Sequence, residues 1–194
     1  MQEVFYEESS RVQNERGASI RYNIVNALSI FSYVCMIIWF ILVCSFFSWE
    51  GNVLINLILV LLPFAILLVC GMLLGKYRNK LYVDYDYTFV NGSIRFSKVI
   101  KNIKRKFIAK FDCSKIEKIG KITSETFNRY KLIPNIKTVV LTSNDVASDG
   151  KSFFYIVANI EDTKTIFILE CSETFMINVL KFSNKMVLEE ELKK

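Results

Sequence analysis

The sequence predicts two parts: a membrane α-helical hairpin of two transmembrane helices near the N-terminus, and a cytoplasmic α+β domain whose curved antiparallel sheet is closed by a C-terminal helix. Three observations carry this. Two runs of 23 uncharged residues stand three residues apart. Directly after them the apolar pattern becomes an alternation centred on Asn91-Gly92. The end of the chain then returns to helical spacing.

The first run, ALSIFSYVCMIIWFILVCSFFSW (27–49), crosses a hydrocarbon core of about 30 Å with some tilt at a rise of about 1.5 Å per residue. VLINLILVLLPFAILLVCGMLLG (53–75) is equally long, and the short turn Glu50, Gly51, Asn52 forces an antiparallel hairpin. The first run exceeds the roughly 7 to 15 apolar residues of a signal peptide, and no small-x-small cleavage site follows it. Arg11, Arg16 and Arg21 precede the hairpin and Lys76, Arg78 and Lys80 follow it, against Glu50 in the turn. The positive-inside rule then expects a multi-pass cell-membrane protein with both termini cytoplasmic. Residues 1–26 are expected to be a cytoplasmic tail, 27–75 the hairpin and 76–194 the domain.

Within the spans there is no Asp, Glu, Lys or Arg, so the ionisable groups that mark an ion or proton pathway are missing and an anchor is expected instead. Pro63 at mid-span predicts a kink. Gly71 and Gly75 stand at GxxxG spacing and are candidate helix-packing positions, either within the hairpin or between copies in a homo-oligomer.

In the domain, Tyr85, Tyr87 and Phe89 alternate with Asp84, Asp86 and Thr88 as in a half-buried strand. Asn91-Gly92 supplies the turn, and Ser93 to Val99 returns as its partner. The stretch KVIKNIKRKFIAKFD reads as a loop leading into a third strand on which Phe107, Ala109 and Phe111 form the apolar face. Ser114 to Ile122 fits a short strand or a helical turn equally. Lys137–Thr142, Phe153–Ile160 and Thr163–Glu170 are strands by their β-branched and aromatic content, with Glu161-Asp162 turning between the last two. Phe175, Val179, Phe182 and Met186 follow at helical steps, with Ser172 as N-cap.

Several antiparallel strands closed by one helix is the order of a pleckstrin-homology-like domain. DYDYTFVNGSIRFSKVIKNIKRKFIAKFDCSKIEKIGK, together with the preceding hairpin, resembles an uncharacterised family of small two-span membrane proteins from low-GC Gram-positive bacteria. The resemblance implies a pleckstrin-homology-like cytoplasmic domain and assigns no catalytic or ligand residues. It does not extend to the N-terminal tail or to residues 123–152.

The chain has no histidine, which removes the usual general base and the commonest metal ligand. Its five cysteines are scattered without metal-binding spacing. Asp112 and Cys113, or Asp84 and Asp86, are the nearest approach to a catalytic set, but the thiol lacks an activating base and such carboxylates are usually solvated. No enzyme, cofactor or metal is expected. From Lys76 onward 22 cations face 14 acids. Six of those cations, Lys98, Lys101, Lys104, Arg105, Lys106 and Lys110, lie within 13 residues and are candidate contacts for anionic lipid. The same lysines would also serve to keep an edge strand soluble. Nucleic acid is not expected, because the chain is tethered and Phe107 and Phe111 face inward in this scheme. The expected function is a membrane-tethered module reading anionic lipid headgroups or a peptide. The alternative is an accessory subunit that meets another membrane protein through the spans.

Overall fold

The computed structural model describes residues 4–46, 52–160, 163–183 and 188. The chain divides into two compact units, Asn14–Tyr82 on the one hand and Met1–Gln13 with Val83–Lys194 on the other.

The helical unit consists of α1 (Glu15–Phe46) and α2 (Val53–Arg78). Both are long and apolar enough to cross a membrane. A core helix of a soluble protein buries its apolar stripe, whereas here residues such as Phe31 (65% exposed) and Leu54 (70%) point outward all round the pair. That is the pattern of a two-span membrane protein. The first helix starts at Glu15 rather than Ala27, because ERGASIRYNIVN contains no proline and its one glycine, Gly17, falls in the first turn. Asn14 caps its first turn through Gly17 N, 2.8 Å from Asn14 Oδ1. Residues 47–51, which include the end of the expected first span and most of its turn, lie outside the described residues. Asn52 accepts from Leu54 N at 3.1 Å and caps α2.

The two helices are joined by side chains that reach backbone carbonyls. Ser29 Oγ donates to Gly71 O at 2.9 Å and Ser32 Oγ to Leu67 O at 2.8 Å. The Trp39 indole donates to Val60 O at 3.2 Å, in the turn that Pro63 loosens by lacking an N–H. Gly71 and Gly75 both face α1. A Cβ on Gly71 would lie 2.8 Å from the Tyr33 ring, and one on Gly75 would lie 3.5 Å from Ser29 Oγ.

The second unit holds two four-stranded sheets. The first runs β1 (Phe5–Ser10), β2 (Val83–Val90), β3 (Ser93–Ile100), β4 (Lys104–Asp112), antiparallel throughout. The second has the order β5 (Ile116–Lys121), β7 (Ser152–Ile160), β8 (Thr163–Cys171), β6 (Lys137–Val140). In it β6 lies parallel to β8, because the short helix α3 (Glu125–Lys131) carries the chain across before it returns. Helix α4 (Glu173–Phe182) closes the core with Phe175, Met176 and Val179 buried. Phe96 sits at the centre of that core, its ring 5.8 Å from Tyr87, 5.7 Å from Phe111 and 5.2 Å from Phe167.

Several expectations change. Residues 5–10, placed in a cytoplasmic tail, form the edge strand β1, so this unit is built from both ends of the chain around the helices. The segment from Lys98 is not a loop: β3 runs to Ile100, the turn is Lys101 to Ile103, and β4 starts at Lys104. Ser114 to Ile122 resolves into a 3-10 turn, Cys113–Lys115, followed by β5. The Glu161-Asp162 turn and Met186 lie outside the described residues.

Candidate functional site

Strand register decides where the cations go. The first residue of β2, Val83, pairs with Ile100, the last of β3. The β3–β4 turn therefore lies at the end of the sheet where the chain enters from Tyr82. Lys101 (φ 50°) and Asn102 (φ 57°) are both left-handed. This is a tight reversal made without glycine, which is why composition does not reveal it. An L residue in that region is strained, so Lys101→Gly is expected to stabilise the protein by about 1 kcal/mol in denaturant unfolding. Ile103, next along, is 81% exposed.

The ladder splits the six candidate cations. Lys98 stands opposite Lys106, and Ile100 opposite Lys104, so Lys98, Lys104 and Lys106 share one face beside the turn that holds Lys101. Arg105 pairs with Val99 on the other face. There its guanidinium lies 3.0 Å from Asp86 and 3.9 Å from Glu7, which neutralises it within the protein. Lys110 stands opposite Arg95, about 20 Å along the strand from Lys104 at a rise of about 3.3 Å per residue. The structure thus gathers four of the six and separates Arg105 and Lys110 from them.

A bulge explains the one aromatic misplaced by alternation. Phe96 pairs with Ala109, but Ser97 pairs with Phe107, so Ile108 is the extra residue. The bulge reverses the phase of the strand: Phe111 is buried while Phe107 turns outward, 60% exposed, under the Arg95 guanidinium 5.6 Å from its centroid.

The strongest polar feature of the unit is a buried carboxylate that sequence reasoning passed over. Glu170 is the last residue but one of the apolar strand β8 yet is fully buried. Its Oε2 accepts from Ser10 Oγ (2.6 Å), Thr142 Oγ1 (2.6 Å) and Asn144 Nδ2 (2.8 Å), and its Oε1 from Ser148 N (2.9 Å) and Ser148 Oγ (2.6 Å). Burial by itself pushes the carboxyl upward, but the hydrogen bonds from Ser10, Ser148 and Thr142 together outweigh it and hold Glu170 at about 2. The backbone N–H of Glu170 donates to Tyr87 Oη at 3.3 Å, and that hydroxyl donates to Leu141 O. Burial raises the Tyr87 phenol well above its ordinary value.

Glu170 thereby ties β1, β8 and the loop after β6 together, and neighbouring contacts repeat the arrangement. Glu8 accepts from Ser172 N (2.8 Å) and Ser172 Oγ (2.9 Å) at the start of α4, with Lys151 Nζ 3.5 Å away. Ser9 Oγ donates to Asp86 (2.9 Å) and Val12 N to Asp84 (2.9 Å). Ser143 Oγ donates to Val83 O (2.7 Å). Asp84 and Asp86, weighed above as a catalytic pair, dock the N-terminal segment. Cys113 is buried, and burial pushes its thiol up to about 11, the reverse of what an activated nucleophile requires. Among the described residues no group of His, Cys, Asp and Glu is placed to hold a metal. The signal that could have revealed Glu170 is its position: an acid within the apolar run TIFILEC has no water to face and must find donors.

A family model described as a bacterial PH-like domain (DUF6106) matches residues 23–189, most of both units. The chain belongs to this family. No curated protein and no solved structure matches it. The DUF6106 match begins after β1, so the edge strand that Glu170 secures lies outside the matched segment.

Proposed function

We propose that this DUF6106 protein is a cell-membrane module with both termini in the cytoplasm, and that its PH-like domain meets anionic lipid through the β3–β4 turn. The observation that carries this is the register of Val83 with Ile100: the cationic turn lies at the end of the sheet from which the chain departs for α2. Lys98, Lys101, Lys104 and Lys106 supply the charge, each worth on the order of 1 kcal/mol near an anionic surface, and exposed Ile103 supplies an apolar tip. The inward orientation of Gly71 and Gly75 supports their use inside the hairpin over assembly with another membrane protein through that motif.

The test is amide hydrogen exchange of the full chain in nanodiscs. Exchange in residues 100–106 is expected to slow severalfold when phosphatidylglycerol is added to phosphatidylcholine, to recover in high salt, and to be unaffected by phosphatidylglycerol in Lys104→Glu/Lys106→Glu. Equal exchange in both lipid compositions would reject the proposal.

A further inference from the structure

We infer that Arg78, with Tyr22 and Asn26, forms a binding site for the phosphodiester group of a phospholipid, held between the two helices and separate from the β3–β4 turn. Arg78 Nη1 donates to Asn26 Oδ1, and the guanidinium carbon lies 6.0 Å from the Tyr22 ring centroid. One edge of the fork and one face are thereby fixed. The Nε atom is shut off from water and meets no acceptor among the described residues. The residue as a whole is half-buried, and presenting Nε to a ligand at the surface of the helix pair takes a turn of the guanidinium toward that surface.

Charge sharpens the inference. Among the described residues from 16 to 82 the chain has no Asp or Glu, and no ion pair joins Arg78 to a carboxylate. A partly buried guanidinium with an unmet N–H and no counter-ion calls for an external anion. Its planar edge matches two oxygens of a phosphate, which a lysine cannot match as a point charge. The level in the hairpin selects the source. Asn26 directly precedes the uncharged run that starts at Ala27, and Arg78 follows the run that ends at Gly75, so the site lies where an apolar span gives way to polar sequence. Lipid phosphates occupy that level of a bilayer.

Native mass spectrometry of the full chain in detergent, titrated with phosphatidylglycerol, tests the site. Wild type is expected to hold one phosphatidylglycerol, with Arg78→Gln weakening it roughly tenfold, Arg78→Lys giving an intermediate loss, and Arg16→Gln leaving it unchanged. A glucosyl diacylglycerol with the same acyl chains and no phosphate is expected to bind as weakly to wild type as phosphatidylglycerol binds to Arg78→Gln. Circular dichroism checks that the helices persist; if Arg78→Gln loses them, the comparison rests on Arg78→Lys and the glycolipid. Equal phosphatidylglycerol binding by wild type and Arg78→Lys, equal binding of the glycolipid, or displacement of the lipid by inorganic phosphate would each overturn the inference.

Discussion

Glu170→Gln is expected to cost roughly 3 to 5 kcal/mol of stability in the strand-rich unit, the range for breaking a buried charged network. Five hydrogen bonds converge on the carboxylate, and a glutamine would turn its own NH2 toward donors from Ser10, Thr142 and Asn144 or from Ser148. The pH dependence of stability should follow the same carboxylate. The carboxyl is depressed from 4.5 to about 2. It therefore contributes stability that is fully present above pH 4.5 and is lost as the pH falls through 4.5 toward 2. At about 1.4 kcal/mol per unit that contribution is about 3 kcal/mol. Denaturant unfolding at a series of pH values should show wild type losing this stability across that window and Glu170→Gln losing much less. Equal acid sensitivity in the two would show that other carboxylates dominate. Ser10→Ala removes one donor and should cost about 1 kcal/mol.

Gly71→Leu is the second large effect. A Cβ at position 71 already meets two Tyr33 ring atoms at 2.8 Å, so any side chain there pushes α1 and α2 apart unless the ring swings away. Separation also lengthens the Ser29 and Ser32 hydrogen bonds to α2 carbonyls, each worth about 0.6 kcal/mol in a membrane protein. Overpacking and lost bonds together predict about 2 to 4 kcal/mol, measured by unfolding in detergent micelles. Gly75→Ala is the internal control: its Cβ would meet Ser29 Oγ at 3.5 Å, an ordinary contact, and stability should change by less than about 0.5 kcal/mol. If both substitutions were equally harmless, the close approach of the helices would not depend on Gly71.

The elements legible in the sequence share one property: their signal is local. The two apolar runs declare their length, Asn91-Gly92 declares a reversal, and the spacing of Phe175, Val179 and Phe182 declares a helix. Asn91 (φ 46°) and Gly92 (φ 83°) adopt the left-handed pair that such a turn requires. What escaped was set by distant partners. FYEESS has too little alternating apolar content to declare a strand, and it becomes β1 because β2, some 80 residues later, offers it a ladder. The outward turn of Phe107 depends on a single extra residue opposite Phe96 and Ser97, which no periodicity in the strand records.

The division in the candidate site follows the same line. Sequence alone determined that the protein has an uncharged hairpin, a cationic strand-rich domain and no histidine chemistry, because these are properties of residue types and their order. Only the tertiary structure decided that four of six clustered cations share a surface while Arg105 is drawn into Asp86. Only the tertiary structure likewise decided that Gly71 faces Tyr33 and that Glu170 clasps the N-terminal strand. The physical reason is that a charge or a glycine acquires its role from the groups placed within a few ångströms of it, and here those groups lie 19 to 160 residues away in the chain.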